Sequence, residues 1–169
     1  MSMASSQTAY RRLEGKVVII TGGSSGIGAS TASSFKEHGA FAVIADIRDE
    51  LGHALVNKLG ERASYVHRDV SNEDNVAGLT DATPWGSILE STKANMDRVI
   101  GVNLYGACFG AKHAMRVMVP RHGGCILFIA SSCTAISGFA SHPYTASKCA
   151  IVSLARSLAA EMGQHGGER

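Results

Sequence analysis

Near the end of the sequence, Tyr144-Thr-Ala-Ser-Lys148 sets a phenol and an ammonium four residues apart, which is one face of a helix. A phenol ordinarily titrates near 10, so service as a base near neutrality requires a shift of about 2–3 units, or about 3–4 kcal/mol. The neighbouring Lys148 cation favours the phenolate. Ser131 stands thirteen residues before Tyr144 and directly follows the apolar run Gly124-Cys-Ile-Leu-Phe-Ile-Ala130. A hydroxyl there can donate to a carbonyl or alcohol oxygen while Tyr144 moves the proton. Taken alone, a Tyr-x-x-x-Lys pair reads first as the face of an amphipathic helix; its companions elsewhere in the chain change that.

The second constellation opens the chain. Val17 to Ile20 are four β-branched residues in a row, the composition of a strand buried on both faces. Thr21 to Gly28 then packs four glycines and two serines into a turn, and Ala29 to His38 reads as a helix stopped at Gly39. Strand, glycine turn and helix form the front half of a dinucleotide-binding unit. Gly22 permits the tight turn, Gly26 lets backbone approach a pyrophosphate, and Gly28 lets helix pack on strand. Ser24, Ser25 and Ile27 complete the phosphate-side candidates, at a helix N-terminus whose N–H groups favour anions. Phe41-Ala-Val-Ile-Ala45 is a second strand ending at Asp46, eighteen residues after Gly28. That is where a carboxylate accepts from ribose hydroxyls. A carboxylate repels a 2′-phosphate, so NAD is expected over NADP. Arg48 is expected in solvent, and an inward swing would soften that preference. A bound nicotinamide cation would add to the bias toward the Tyr144 phenolate.

The elements that must position these groups follow from the pattern. Asp49 to Gly60 is a helix with Leu51, Leu55 and Leu59 on one stripe, and Ala63-Ser-Tyr-Val-His67 a third strand. Ser71-Asn-Glu-Asp74 has capping-box form and predicts a helix start. That helix meets Pro84-Trp85-Gly86 without an intervening strand, and a new helix follows, capped by Ser91 or Thr92. Met96, Val99, Ile100, Leu104 and Ala107 face its interior side, as far as about Met118 before Pro120. Gly124–Ala130 is expected as a central strand, residues 131–143 as a small-residue loop, and 144–162 as a second long helix. The alternation predicts an α/β fold, a doubly wound parallel sheet.

A chain of 169 residues fits one domain, here residues 13–169 behind a flexible N-terminus 1–12. The net charge is +2 with acids and bases interspersed, so neither nucleic acid nor an acidic membrane is an expected partner. No apolar run approaches the roughly twenty residues of a membrane span. Cys108, Cys125, Cys133 and Cys149 show no metal-ligand spacing and read as reduced packing residues, so a cytoplasmic setting is expected. The Ser-rich, acid-free N-terminus leaves a plastid as the alternative. His113, His122 and His142 lack metal spacing, and no metal is expected. Lys112 and Arg116 read as a solvated face or a subunit contact, and Trp85 as pocket lining or junction burial.

The sequence resembles the short-chain dehydrogenase/reductase family. Thr21-Gly-Gly-Ser-Ser-Gly-Ile-Gly28 resembles the TGxxxGxG cofactor motif, Asp69-Val70 the adenine-contacting DV pair, and Tyr144 with Lys148 the YxxxK site. Asn103, in Val102-Asn-Leu-Tyr105, is similar to the asparagine that completes the family's tetrad, and Ser131 falls at the family's serine. The resemblance implies a Rossmann-like fold and hydride transfer between NAD and a small-molecule secondary alcohol or ketone. It further implies that Tyr144 and Lys148 contact the cofactor and that Asn103 holds a water relaying protons from Lys148. Within the family, Pro84–Leu89, Gly110–Met118 and the Ser131 loop look similar to plant secoisolariciresinol dehydrogenase-like enzymes, which oxidise lignan and terpenoid alcohols. Helices 92–118 and 144–162 resemble the family's dimer-forming pair, which implies a homo-oligomer.

Two pieces of the family pattern are absent. No Asn-Asn-Ala-Gly-type fourth strand stands between Asp69-Val70 and the long helix, and the sequence ends soon after the Tyr144 helix. An incomplete sheet is therefore expected, lacking the family's fourth strand and its C-terminal strands. The fourth would lie directly between the first strand and the one ending at Ser131. A non-catalytic, truncated product that keeps partial nucleotide-binding and dimerisation elements is the alternative function.

Overall fold

The computed structural model describes residues 11–70, 87–138 and 140–164. They fall into two compact units divided between Asp69 and Val70. The expected capping box at Ser71–Asp74 and the Pro84-Trp85-Gly86 junction lie outside the described residues.

The first unit is α/β. Strand β1 (Val17–Thr21) leads to helix α1 (Gly26–Glu37), β2 (Phe41–Asp46), α2 (Asp49–Leu59) and β3 (Ala63–His67). The strands are parallel in the order β1-β2-β3, with Ile20 opposite Ile44 and Asp46 opposite His67. Ile20, Ala42 and Ile44 share one pleat face, and Ala32 of α1 and Leu59 of α2 close over it. Both helices thus cover the same side of the sheet. Ala32 is fully buried, because the small residues of α1 let the helix lie close to the strands. Gly39 and Gly60, at φ +95° and +76°, turn the chain out of α1 and α2, a conformation that side chains other than glycine resist.

Two expectations here need correction. Val17 and Ile19 are 68% and 71% exposed, so β1 is covered on one face only. The cause is topological: β1 ends the ladder of the described sheet, and the two helices lie on the opposite face. On α2, Leu59 is buried and Leu55 half-buried, but Leu51 is exposed, so the predicted stripe covers only the last two turns.

The second unit contains helices and a loop. A single turn (Ile88–Glu90) precedes α3 (Lys93–Ile100), whose cap is Thr92: its Oγ1 accepts from Asn95 N–H at 3.2 Å. The expected continuous helix holds to Met118 but is interrupted by a π-helical turn, Gly101–Tyr105, before α4 (Gly106–Met118). Pro120 ends it through the short turn Val119–Arg121, and His122 adopts a left-handed conformation at φ 49°. Helix α5 (His142–Gln164) packs against α3, the π turn and the short turn Ser132–Thr134. Ser147 and Ile151 of α5 are buried, as is Ala111 of α4.

The main correction concerns Gly124–Ala130, expected as a central strand. It is extended, but among the described residues it joins no β-ladder, and Leu127 and Ile129 are 74% and 62% exposed. An apolar run becomes a strand only where a neighbour supplies the other half of its hydrogen bonds. The cysteines divide as well: Cys133 is buried and Cys108 half-buried, but Cys125 and Cys149 are exposed, so only the first two are packing residues.

Candidate functional site

The first unit carries the glycine turn at the C-terminal edge of its sheet, with Gly22 N–H bonded to Ala45 O at 2.8 Å. Gly22 and Gly26 take φ of +63° and +52°, and the space beside each is open to at least 4 Å. Gly28 is different: a Cβ there would overlap Gly22 O and sit 2.9 Å from Gly23 Cα, so only glycine lets α1 pack on the turn. Ser25 is the N-cap of α1, yet no side chain caps the helix, and its first turn holds no acidic residue. The leading N–H groups of α1 therefore point into a site suited to an anion. Ile27 is 69% exposed on that same turn. Ser24 is buried, and its Oγ has no hydrogen-bond partner among the described residues. A buried hydroxyl of this kind costs free energy unless a ligand or water satisfies it.

Asp46 ends β2 and is 4% exposed. Burial raises its carboxyl, but the Arg48 guanidinium and the N–H groups of Ser24 and Arg48 outweigh that and hold it down at about 2. Ser24 N–H donates to Oδ2 at 3.0 Å, while Arg48 Nε and Nη2 donate to Oδ1 and Oδ2 at 2.9 Å each. Arg48 is exposed to solvent as expected, at 42%, and its guanidinium nevertheless folds back onto Asp46 in a bidentate ion pair. Beside it, the Tyr65 hydroxyl lies 2.7 Å from both Asp46 O and Asp49 Oδ1. Burial first, and then the Asp49 carboxylate, push the Tyr65 phenol up to about 12. Asp69 stands two residues past β3, at the end of this unit.

In the second unit, α5 brings together the groups predicted to handle the proton. Lys148 Nζ sits 5.6 Å from the centroid of the Tyr144 ring and donates to Ile129 O at 2.9 Å. Burial lowers the Lys148 ammonium, and the nearby Cys133 opposes that shift. Ser131 is the N-cap of the turn Ser132–Thr134, its Oγ accepting from Cys133 N–H at 3.4 Å. The extended run thus delivers Ser131 to a turn that packs on α5 although it forms no strand.

Asn103 lies on the π turn, where the widened backbone re-aims its side chain. Its Nδ2 donates to Ser147 Oγ at 3.0 Å, and Ser147 donates to Tyr144 O at 2.7 Å. Asn103 therefore reaches the Tyr144 helix through Ser147, a residue the sequence reading passed over. The available signal was a small polar residue one turn after Tyr144 on the buried face of α5. Val70 begins this unit, and its carbonyl lies so close to α4 that a Cβ at Gly106 would approach within 2.7 Å.

Residues 16–84 and 75–166 match the protein family described as short chain dehydrogenase. A (21S)-21-acetoxyl-apo-melianone synthase of Melia azedarach is 49% identical over 185 aligned positions, covering 98% of this chain and 68% of that protein. Secoisolariciresinol dehydrogenase of Forsythia intermedia is 43% identical over 92% of this chain and 64% of its own length. The present chain therefore spans about two thirds of these relatives. A solved structure of a short chain dehydrogenase/reductase family protein superposes with a TM-score of 0.83 at 28% identity, over 92% of this chain and 72% of that one. The 185 aligned positions against 169 residues leave at least 16 positions of the first relative with no counterpart here. This fits an incomplete sheet.

Proposed function

Because the chain belongs to the short-chain dehydrogenase family, we propose that it is built for NAD-dependent oxidation of a secondary alcohol, or the reverse reduction of a ketone. Lignan- or terpenoid-like metabolites are the substrate class and the cytoplasm the setting, with the plastid second. The residues present fit a dinucleotide. Open backbone at Gly22 and Gly26, the uncapped start of α1 and the unpartnered Ser24 Oγ suit a pyrophosphate. Asp46 suits a ribose, and Asp69 with Val70 an adenine. When bound, the nicotinamide supplies or accepts the hydride.

The chain's own residues handle the oxygen and the proton. Tyr144 takes the hydroxyl proton of the alcohol, and Ser131 donates a hydrogen bond to the same oxygen and holds it in place. Lys148 favours the Tyr144 phenolate through its charge and binds the nicotinamide ribose. Asn103, through Ser147 and the Tyr144 carbonyl, steadies the first turn of α5 and orders the water that relays protons from Lys148. The observation that carries this reading is Lys148 Nζ lying against the Tyr144 ring while bonded to Ile129 O beside Ser131. With a secondary alcohol and NAD, Tyr144→Phe is expected to abolish NADH formation, followed by absorbance. Turnover unchanged by that substitution would overturn the mechanism.

The exposed, unladdered run before Ser131 favours a second reading, a non-catalytic product that keeps partial nucleotide-binding and dimerisation elements. Self-association through helices 92–118 and 144–162 is part of both readings. Size-exclusion chromatography separates the readings: a stable, active homo-oligomer supports the enzyme, and an inactive species that still binds ADP-ribose supports the fragment.

A further inference from the structure

Asn103 meets the Tyr144 helix at Ser147, and the single proton of that serine decides how the asparagine stands. Ser147 lies one helical turn after Tyr144 on α5 and is 0% exposed, so its hydroxyl is closed off from bulk water. A serine hydroxyl has one proton to donate and two lone pairs to accept with. The Tyr144 carbonyl can only accept, and Ser147 Oγ lies 2.7 Å from it, so the proton goes there. Ser147 Oγ is then an acceptor toward anything else, and the Asn103 atom 3.0 Å away has to be a donor.

A serine that bonds a carbonyl one turn back in its own helix is ordinary. The second bond is not, because it comes from the π turn, 44 residues earlier in the chain. The two arms of an asparagine amide are nearly alike in shape, and its partners decide which way it faces. Here the NH2 arm is held on α5 by Ser147, which leaves Oδ1 as the acceptor arm.

We propose that Ser147 is a positioning residue for the reaction, setting the polarity of the Asn103 amide and with it the direction of the proton relay. It rests on the dehydrogenase reading above. The Lys148 ammonium has donors only. A water between Lys148 and Asn103 therefore accepts from the lysine and must donate to an acceptor, which Oδ1 supplies. With the amide turned over, the NH2 arm would compete with Lys148 for the same lone pairs of that water, and the water's protons would find no acceptor at Asn103. In this role Ser147 acts through Asn103 and not on the substrate.

Steady-state kinetics of the full chain with NAD and a secondary alcohol test this. Ser147→Ala should lower kcat about tenfold and leave KM for the alcohol within about twofold, as expected of a group that acts in the proton step alone. Ser147→Thr keeps the hydroxyl, and a helical threonine readily bonds a carbonyl one turn back, so kcat should stay within about threefold. With Asn103→Ala already in place, Ser147→Ala should change kcat by less than about twofold, because the group it positions is gone. An unchanged kcat in Ser147→Ala, or losses that multiply in the double variant, overturn the role and leave the dehydrogenase reading standing. A measurement on the unaltered chain covers the case in which Ser147→Ala does not fold. By nitrogen-correlated NMR, the side-chain amide protons of Asn103 should exchange at least about tenfold more slowly than those of the exposed Asn95, and equal rates overturn the link. Absence of turnover in the unaltered chain overturns the reading and the role together.

Discussion

Val17–Ile20 and Cys125–Ala130 are alike as sequence: each is a short apolar run that hands over to a turn of small residues with a functional candidate in it. In the structure they differ. The first run pairs along its whole length with β2 and holds the glycine turn at the sheet edge by the bond from Gly22 N–H to Ala45 O. The second is extended with two large apolar side chains in solvent, and its contact to α5 runs through a side chain, Lys148 Nζ to Ile129 O. The comparison separates two things that hydrophobicity joins. An apolar run states a demand for burial; a strand exists when a neighbour meets the backbone's demand for hydrogen bonds. The glycine turn is accordingly set on a ladder, whereas Ser131 is set by helix packing.

Hydrogen exchange gives the sharpest contrast. Amides of Val18, Ile20 and Ala42–Ala45 should be protected about a thousandfold more than those of residues 125–130, since ladder amides open only with larger unfolding. Equal protection would erase the distinction between the two runs. Next in size is Gly28→Val, whose side chain must displace the backbone of Gly22 and Gly23. It should destabilise the first unit by about 2–4 kcal/mol and abolish ADP-ribose binding. A urea melt resolving the two units should show the second unchanged.

The smallest of these effects is the acid response. The native carboxyl of Asp46 is held down at about 2, below its ordinary value, so its contribution is fully present above about pH 4. It is lost as the pH falls through the native value, and it amounts to about 1–2 kcal/mol. Carboxyl-carbon NMR should give a midpoint near the native value. Asp46→Asn should remove that component of the acid-dependent loss of stability from the first unit and leave the second unit's acid response as it was. A midpoint for Asp46 at the value of a free aspartate would show that the Arg48 pair does not hold in solution.

Much of the site was legible beforehand because its chemistry is local in sequence. Positive φ at Gly22 and the close approach at Gly28 follow from a turn that must double back within a few residues. Tyr144 and Lys148 meet because four residues make about one helical turn. Other features were not legible. The seating of Arg48 on Asp46 required knowing that the entry to α2 bends the chain back on itself. The link from Asn103 to Ser147 joins positions 44 residues apart, and it depends on a π turn that no pattern of apolar residues announces.

The sequence by itself determined the βαβαβ order of the first unit, the glycine turn with Asp46 at the next strand end, and the Tyr144–Lys148 face of α5. Each is fixed by the preferences and spacing of residues close along the chain. Only the tertiary structure decided that Val17 and Ile19 are exposed, that Gly124–Ala130 forms no ladder among the described residues, and that Arg48 seats on the Asp46 carboxylate. Those outcomes turn on which neighbours are present to supply hydrogen bonds and burial, and a neighbour is not a property of the run that needs it.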